Sequence, residues 1–278
     1  MSTQHTADVA AHASVRANPF TRIAGAIRRQ PLVAFFILAY AFSWWPAALY
    51  LLTGSGPPIL GCGPFLAALA VLPFTAGKRG VKRLVGSMIK WRVGLRWWAV
   101  AIFAPVLMTG LAAALNIALG AATPTADDLG RWTNVLPTAL LILLVPVIGG
   151  AWEEPGWRGF ALLRLLARRS ALEASLLLGV LWAFWHVPLF FTDEQHWSDL
   201  ALVVIVTVVL TWLFQSALGS VLIAMVFHAM NNAVSGEYVS QMFSGNDSTR
   251  QSWMLVIVWS AAAVLVVTFG RTFRRREH

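Results

Sequence analysis

Long apolar stretches alternate with short polar ones along the chain, at residues 32–53, 58–76, 97–119, 135–152, 172–191, 200–218, 220–236 and 252–270. Each is of a length, about 17 to 23 residues, that crosses the roughly 30 Å hydrocarbon layer of a bilayer as a helix. Spanning segments must satisfy their own backbone hydrogen bonds, and these stretches lack the period-two alternation of a barrel strand. The pattern therefore predicts an all-α fold, a polytopic membrane helix bundle of about eight transmembrane helices. Gly219 and Ser220 suit the tight turn needed between the sixth and seventh spans.

Charge placement gives this arrangement a direction. With both termini cytoplasmic, every Lys and Arg of the 21 in the chain except Arg131 and Arg250 falls on the inner side, as the positive-inside rule requires. Residues 1–31 then read as a cytoplasmic tail ending in a basic stretch, 32–270 as the transmembrane domain, and 271–278 as a basic cytoplasmic tail. The first apolar run is longer than a signal-peptide core and reads as an uncleaved first helix. Residues 78–96 mix basic and apolar positions in a helical pattern and are expected on the inner membrane surface. The pairs Trp44-Trp45 and Trp97-Trp98 are expected as interface anchors.

Composition agrees: 58% of residues are hydrophobic and 12% charged, about half the charge of an ordinary soluble domain. The net charge of +9 is spent on topology, so no nucleic-acid partner is expected; the expected partner is the lipid bilayer. One cysteine, Cys62, excludes an internal disulfide and a thiolate metal cluster. Asp127, Asp128, Asp193, Glu194, Asp199, Glu237 and Asp247 fall on the predicted outer side as loop charges, with Glu237 alone near enough to the seventh span to line a cavity.

Against this background Glu153-Glu154-Pro155-Gly156-Trp157-Arg158 stands out, because a charge near hydrocarbon costs about 2.5 to 3.5 kcal/mol on insertion scales unless it is paired or hydrated. Glu153 and Glu154 precede the basic turn near Arg169 by about as many residues as His186 follows it. In an antiparallel hairpin that places carboxylates and imidazole at one height. Pro155 and Gly156 are the expected site of a kink. Arg158 is four residues beyond Glu154 and shares its helical face, as a structural clamp; Asn232 stands in the same relation to His228.

Glu-Glu-x-x-x-Arg at 153–158 with its Trp-Arg-Gly-Phe continuation at 157–160, a histidine at 186, and His-x-x-x-Asn at 228–232 resemble the three motifs of the CPBP (CAAX protease and bacteriocin-processing, Abi) family. The resemblance covers a core of residues 135–236. That family includes the type II CAAX prenyl endopeptidases. Its second motif is usually Phe-x-x-x-His; here Trp182 takes the aromatic position and is expected as a cavity wall.

The resemblance implies an intramembrane endopeptidase acting on a membrane-tethered protein or peptide, with a catalytic set of Glu153, Glu154, His186, His228 and Asn232. Chemistry and resemblance together make Glu153 the base that deprotonates water, His186 the group that orients it, and His228 with Asn232 the oxyanion donors. No cofactor is expected. The alternative is a zinc-dependent metalloprotease using Glu153, His186 and His228 as ligands. A transporter or a non-catalytic membrane scaffold is the alternative of another class, since intramembrane acids and histidines also build substrate sites and helix-packing networks. The expected location is the prokaryotic plasma (inner) membrane, as a multi-pass protein whose cavity opens to the cytoplasmic side.

Overall fold

A computed structural model describes residues 19–147, 149–191 and 195–274. The first 18 residues, the acids Asp193 and Glu194, and Arg275 and Arg276 lie outside the described residues. All regular structure among the described residues is helical. The main helices are α1 (Pro19–Arg29), α2 (Pro31–Thr53), α3 (Gly63–Thr75), α4 (Gly77–Met88), α5 (Leu95–Ala118), α6 (Val135–Leu144), α7 (Ala171–Trp185), α8 (Trp197–Ser216), α9 (Val221–Asn231) and α10 (Gly245–Phe269). The protein is an all-α, polytopic membrane bundle.

Among the described residues five helices are long and apolar enough to cross a bilayer: α2, α5, α7 with its continuation to Phe191, α8 and α10. At three of the predicted spans the regular α-helix is shorter, with 13 residues in α3, 10 in α6 and 11 in α9. Two of these short helices, α6 and α9, end where the polypeptide is interrupted beside the site. The turn expected at Gly219 is present, with Leu218 and Gly219 both in the left-handed region at φ 58° and 73°. Ser220 then caps α9 by accepting from the Ile223 amide.

Neighbours pack as α2 on α3, α7 on α8, α8 on α10, and α5 on both α9 and α10. In lipid such contacts rest on close packing and internal hydrogen bonds rather than on apolar burial, which lipid offers equally well. Tyr40 and Trp44 on α2 donate to the Leu181 and Trp185 carbonyls of α7, both at 2.9 Å. Trp44 is thus an inter-helix strut that holds the end of α7; its neighbour Trp45 is exposed. The basic amphipathic segment forms α4, shorter than the expected 78–96, with Leu84 buried and Val85 and Ile89 exposed. Arg250, one of the two basic residues on the predicted outer side, is paired with Asp247 at 2.8 Å.

Candidate active site

The helix expected over 135–152 stops at Leu144. Val145 precedes a proline, which disfavours the helical region, and it takes an extended conformation at φ −109°, ψ 107°. The chain resumes as a 3-10 turn at Gly150–Glu153, a short α turn at Glu154–Gly156 and a π-helical stretch at Trp157–Leu162. The break therefore lies at Val145–Pro146 and not at Pro155–Gly156, where the sequence suggests a kink. Pro155 instead begins a turn, the position at which its missing N–H is harmless. A second π-helical stretch, Asn232–Val239, follows α9. Irregular backbone at membrane depth is tolerated where it is buried in protein or lines a cavity, and both conditions hold here.

Glu153 and Glu154 point to different neighbours. Glu154 is fully buried; its Oε1 accepts from Arg158 Nη1 at 3.0 Å and faces His228 Nδ1 at 2.8 Å. Because an ionised carboxylate only accepts, the His228 proton sits on Nδ1 and Nε2 is turned away. Arg158 also stacks on the Trp182 ring, its Cζ 4.3 Å from the centroid. Glu153, 4% exposed, accepts at Oε2 from two indoles, Trp157 Nε1 at 3.1 Å and Trp182 Nε1 at 2.6 Å.

His186 ends α7 and lies 2.8 Å from the Trp182 carbonyl through Nδ1. A carbonyl also only accepts, so that nitrogen carries the proton and Nε2 keeps its lone pair. Trp185, braced by Trp44, meets the His186 ring edge to face at 5.0 Å. Gly150 closes the other side: a Cβ there would lie 2.2 Å from His228 Nε2.

Glu153, Trp182, His186, His228 and Asn232 all line one pocket of about 330 Å³. Glu154 and Arg158 lie behind it. The remaining walls include Pro57, Pro58, Ile59, Leu189, Leu202 and Val206. These residues come from the connection after α2, from the region following α7, and from the first half of α8. The basic clusters sit at the opposite ends of those same helices, and His186 is 15 helical residues from the basic turn, about 22 Å at 1.5 Å per residue. The cavity thus lies in the half of the bundle remote from the basic end, whereas the sequence suggests a cavity open to the basic, cytoplasmic side.

Among the described residues no three His, Cys, Asp or Glu side chains form a group able to hold a metal. Two N–H donors already converge on Glu153 Oε2, an arrangement that suits an anion and opposes a cation at that oxygen.

Four features escaped sequence reasoning: the indole donors of Trp157 and Trp182, the Glu154–His228 contact, the proximity of Gly150, and Asn231 beside Asn232 in the pocket wall. The i,i+4 spacing of Glu153 and Trp157 was a usable signal for the first. Nothing in the sequence marks Gly150. Glu237 is exposed and outside the pocket wall.

These features define a membrane helix bundle with an acid–histidine pocket built on broken helices. Residues 132–234 match the family described as type II CAAX prenyl endopeptidase Rce1-like. A CAAX prenyl protease 2 of Methanococcus maripaludis is 30% identical over 112 residues, covering 36% of this chain and 40% of that protein. The match thus spans less than half the length of the curated relative. The matched segment, which holds every polar residue assigned to the site, is similar to the CPBP/CAAX protease family.

Proposed function

We propose that the protein is an intramembrane endopeptidase that hydrolyses a peptide bond of a membrane-tethered protein or peptide without a metal. The observation that carries this reading is the pocket that gathers Glu153, His186, His228 and Asn232 from separate segments of the chain. The relative named as a CAAX prenyl protease supports the same class of chemistry.

In this mechanism Glu153 takes a proton from water while the Nε2 lone pair of His186 orients it. The resulting hydroxide adds to the scissile carbonyl carbon. Negative charge develops on the carbonyl oxygen, where the Asn232 amide donates to it, and His228 donates as well in its imidazolium form, with Nδ1–H on Glu154 and Nε2–H on the oxyanion. The C–N bond then breaks, and the proton held by Glu153 passes to the leaving amine. Glu154 and Arg158 act from behind, fixing the His228 ring. If the basic end is cytoplasmic, substrates reach the pocket from the outer half of the membrane, because the walls at Pro57, Pro58 and Leu189 belong to that half. The prokaryotic plasma membrane is the proposed location.

The test is cleavage of membrane-tethered reporter peptides, prenylated and unprenylated, by the purified full chain in proteoliposomes. Glu153→Gln is expected to lose about 10²- to 10⁴-fold in rate, the range for a general base, with an unchanged unfolding midpoint. Metal chelators are expected to leave the rate unchanged. Wild-type cleavage by Glu153→Gln would sink the assignment, and solute flux abolished by that variant, without peptide cleavage, would make the protein a carrier.

A further inference from the structure

The basic end of the bundle holds a second, larger cavity, of about 1510 Å³, that the proposed chemistry does not use. It exceeds the roughly 300 to 1,000 Å³ of an ordinary small-molecule pocket. It lies where the start of α5, the turn between Leu166 and Ala171, the end of α8 and the end of α10 come together.

Four guanidinium groups, of Arg96, Arg168, Arg169 and Arg271, line it. The one acid in its wall is Glu173, whose Oε2 accepts from the Ser170 amide at 3.0 Å in the capping box of α7. Among the described residues none of the four arginines has a carboxylate within ion-pair distance. Like charges gathered in this way repel one another, so an anion held among them lowers the energy of the end as a whole.

The rest of the wall gives the ligand its character. Gln215 lines this region and its buried amide Nε2 has no hydrogen-bond partner among the described residues, and the Ser216 and Thr272 hydroxyls stand 3.5 Å apart nearby. Trp212, Leu265 and Val266 supply an apolar side continuous with the membrane helices. Trp97, braced edge to face on Trp212 at 5.4 Å, carries the Arg96 guanidinium over its ring at 4.7 Å. A cationic rim with amide and hydroxyl groups above an apolar wall, at the ends of spanning helices, matches a phosphate headgroup with its acyl chains below.

We propose that this cavity is a binding site for one anionic phospholipid, its phosphate held by Arg96, Arg168, Arg169 and Arg271. A free phosphate would use the same arginines but gain nothing from the apolar wall. The site is separate from the surface of α4, whose Lys78 and Lys82 belong to another cavity. It ties the basic end to the anionic leaflet at a fixed point, where a juxtamembrane basic residue contributes on the order of fivefold in affinity.

Native mass spectrometry of the delipidated full chain, titrated with phosphatidylglycerol or phosphatidylcholine, tests the proposal. One phosphatidylglycerol is expected to be retained at energies that strip phosphatidylcholine, and Arg168→Gln/Arg169→Gln/Arg271→Gln is expected to lose at least tenfold in that retention. All three side chains are exposed, so the variant keeps its core; Arg271→Gln alone is expected to show a smaller loss in the same direction. Lys78→Gln/Lys82→Gln is expected to retain the lipid. Equal retention of both lipids, loss in the lysine variant but not in the arginine variant, or displacement by free glycerol phosphate at equal concentration would each overturn the proposal.

Discussion

Replacing Gly150 by alanine tests the site at its tightest point. The added Cβ would stand 2.2 Å from His228 Nε2, 2.6 Å from Cε1 and 2.9 Å from Cδ2, whereas ordinary contact begins near 3.4 Å. The ring must therefore retreat by about 1.2 Å or the Gly150 backbone must shift by as much. Neither motion is easy. His228 is 7% exposed, tied through Nδ1 to Glu154, and packed against the Trp182 ring at 5.4 Å. Overpacking of this kind costs about 1 to 3 kcal/mol, and a 1 Å misplacement of a reacting group costs on the order of 10² in rate. Gly150→Ala is accordingly expected to lose about 100-fold in kcat/KM with a modest fall in unfolding midpoint. Gly149→Ala is the comparison: the nearest contact of its Cβ is Ile142 at 2.7 Å and not the His228 ring, so it is expected to lower stability with a smaller loss of kcat/KM. A Gly150→Ala enzyme with wild-type kcat/KM, or a Gly149→Ala enzyme equally impaired, would refute the placement of His228 in the reaction.

Trp182→Phe keeps an aromatic wall and removes the 2.6 Å bond to Glu153. A hydrogen bond to a charged group contributes about 1.5 to 3 kcal/mol, so the loss is expected to be about 10- to 100-fold in kcat. Since the indole donor favours the ionised carboxylate, the acid limb of the pH–rate profile is expected to move to higher pH; a fall in rate with an unmoved limb would count against the contact. Arg158→Met leaves Glu154 as a buried charge facing only His228, and breaking a buried pair costs about 3 to 5 kcal/mol, to be read as a lowered midpoint in detergent. Gly156→Ala would place a Cβ 2.4 Å from the Pro64 carbonyl carbon, backbone that cannot rotate aside, so α3 must separate from the Glu154 turn and both stability and cleavage are expected to fall.

How much of this was legible in the chain depends on the range of the signal. The spans followed from hydropathy, and the Glu154–Arg158 contact from i,i+4 spacing, because both are local. The nearness of Glu153, His186 and His228 followed from counting residues along hairpins, which sets height but not azimuth. Azimuth decides that His228 faces Glu154 and that Glu153 faces Trp182, and it depends on where α6 breaks. Val145–Pro146 was a readable breaker that an uninterrupted apolar run concealed.

The interrupted helices explain why a buried acid pair persists in this setting. A continuous helix over 135–152 would have consumed its backbone groups internally and carried Glu153 and Glu154 at the end of a rod, their side chains about 100° apart around its axis. Breaking at Val145 and resuming at Gly150 lets the chain approach α9 closely, and only glycine at 150 admits the His228 ring. The π-helical stretches at Trp157–Leu162 and Asn232–Val239 then follow the two charged turns on either side. Extra residues per turn of this kind occur often at functional sites, and here one follows directly on the turn that carries Glu154 while the other begins at Asn232. The polar groups are thus paired by irregular backbone that the bilayer would reject anywhere except around a cavity, which makes the pocket a condition of the fold and not an accessory to it.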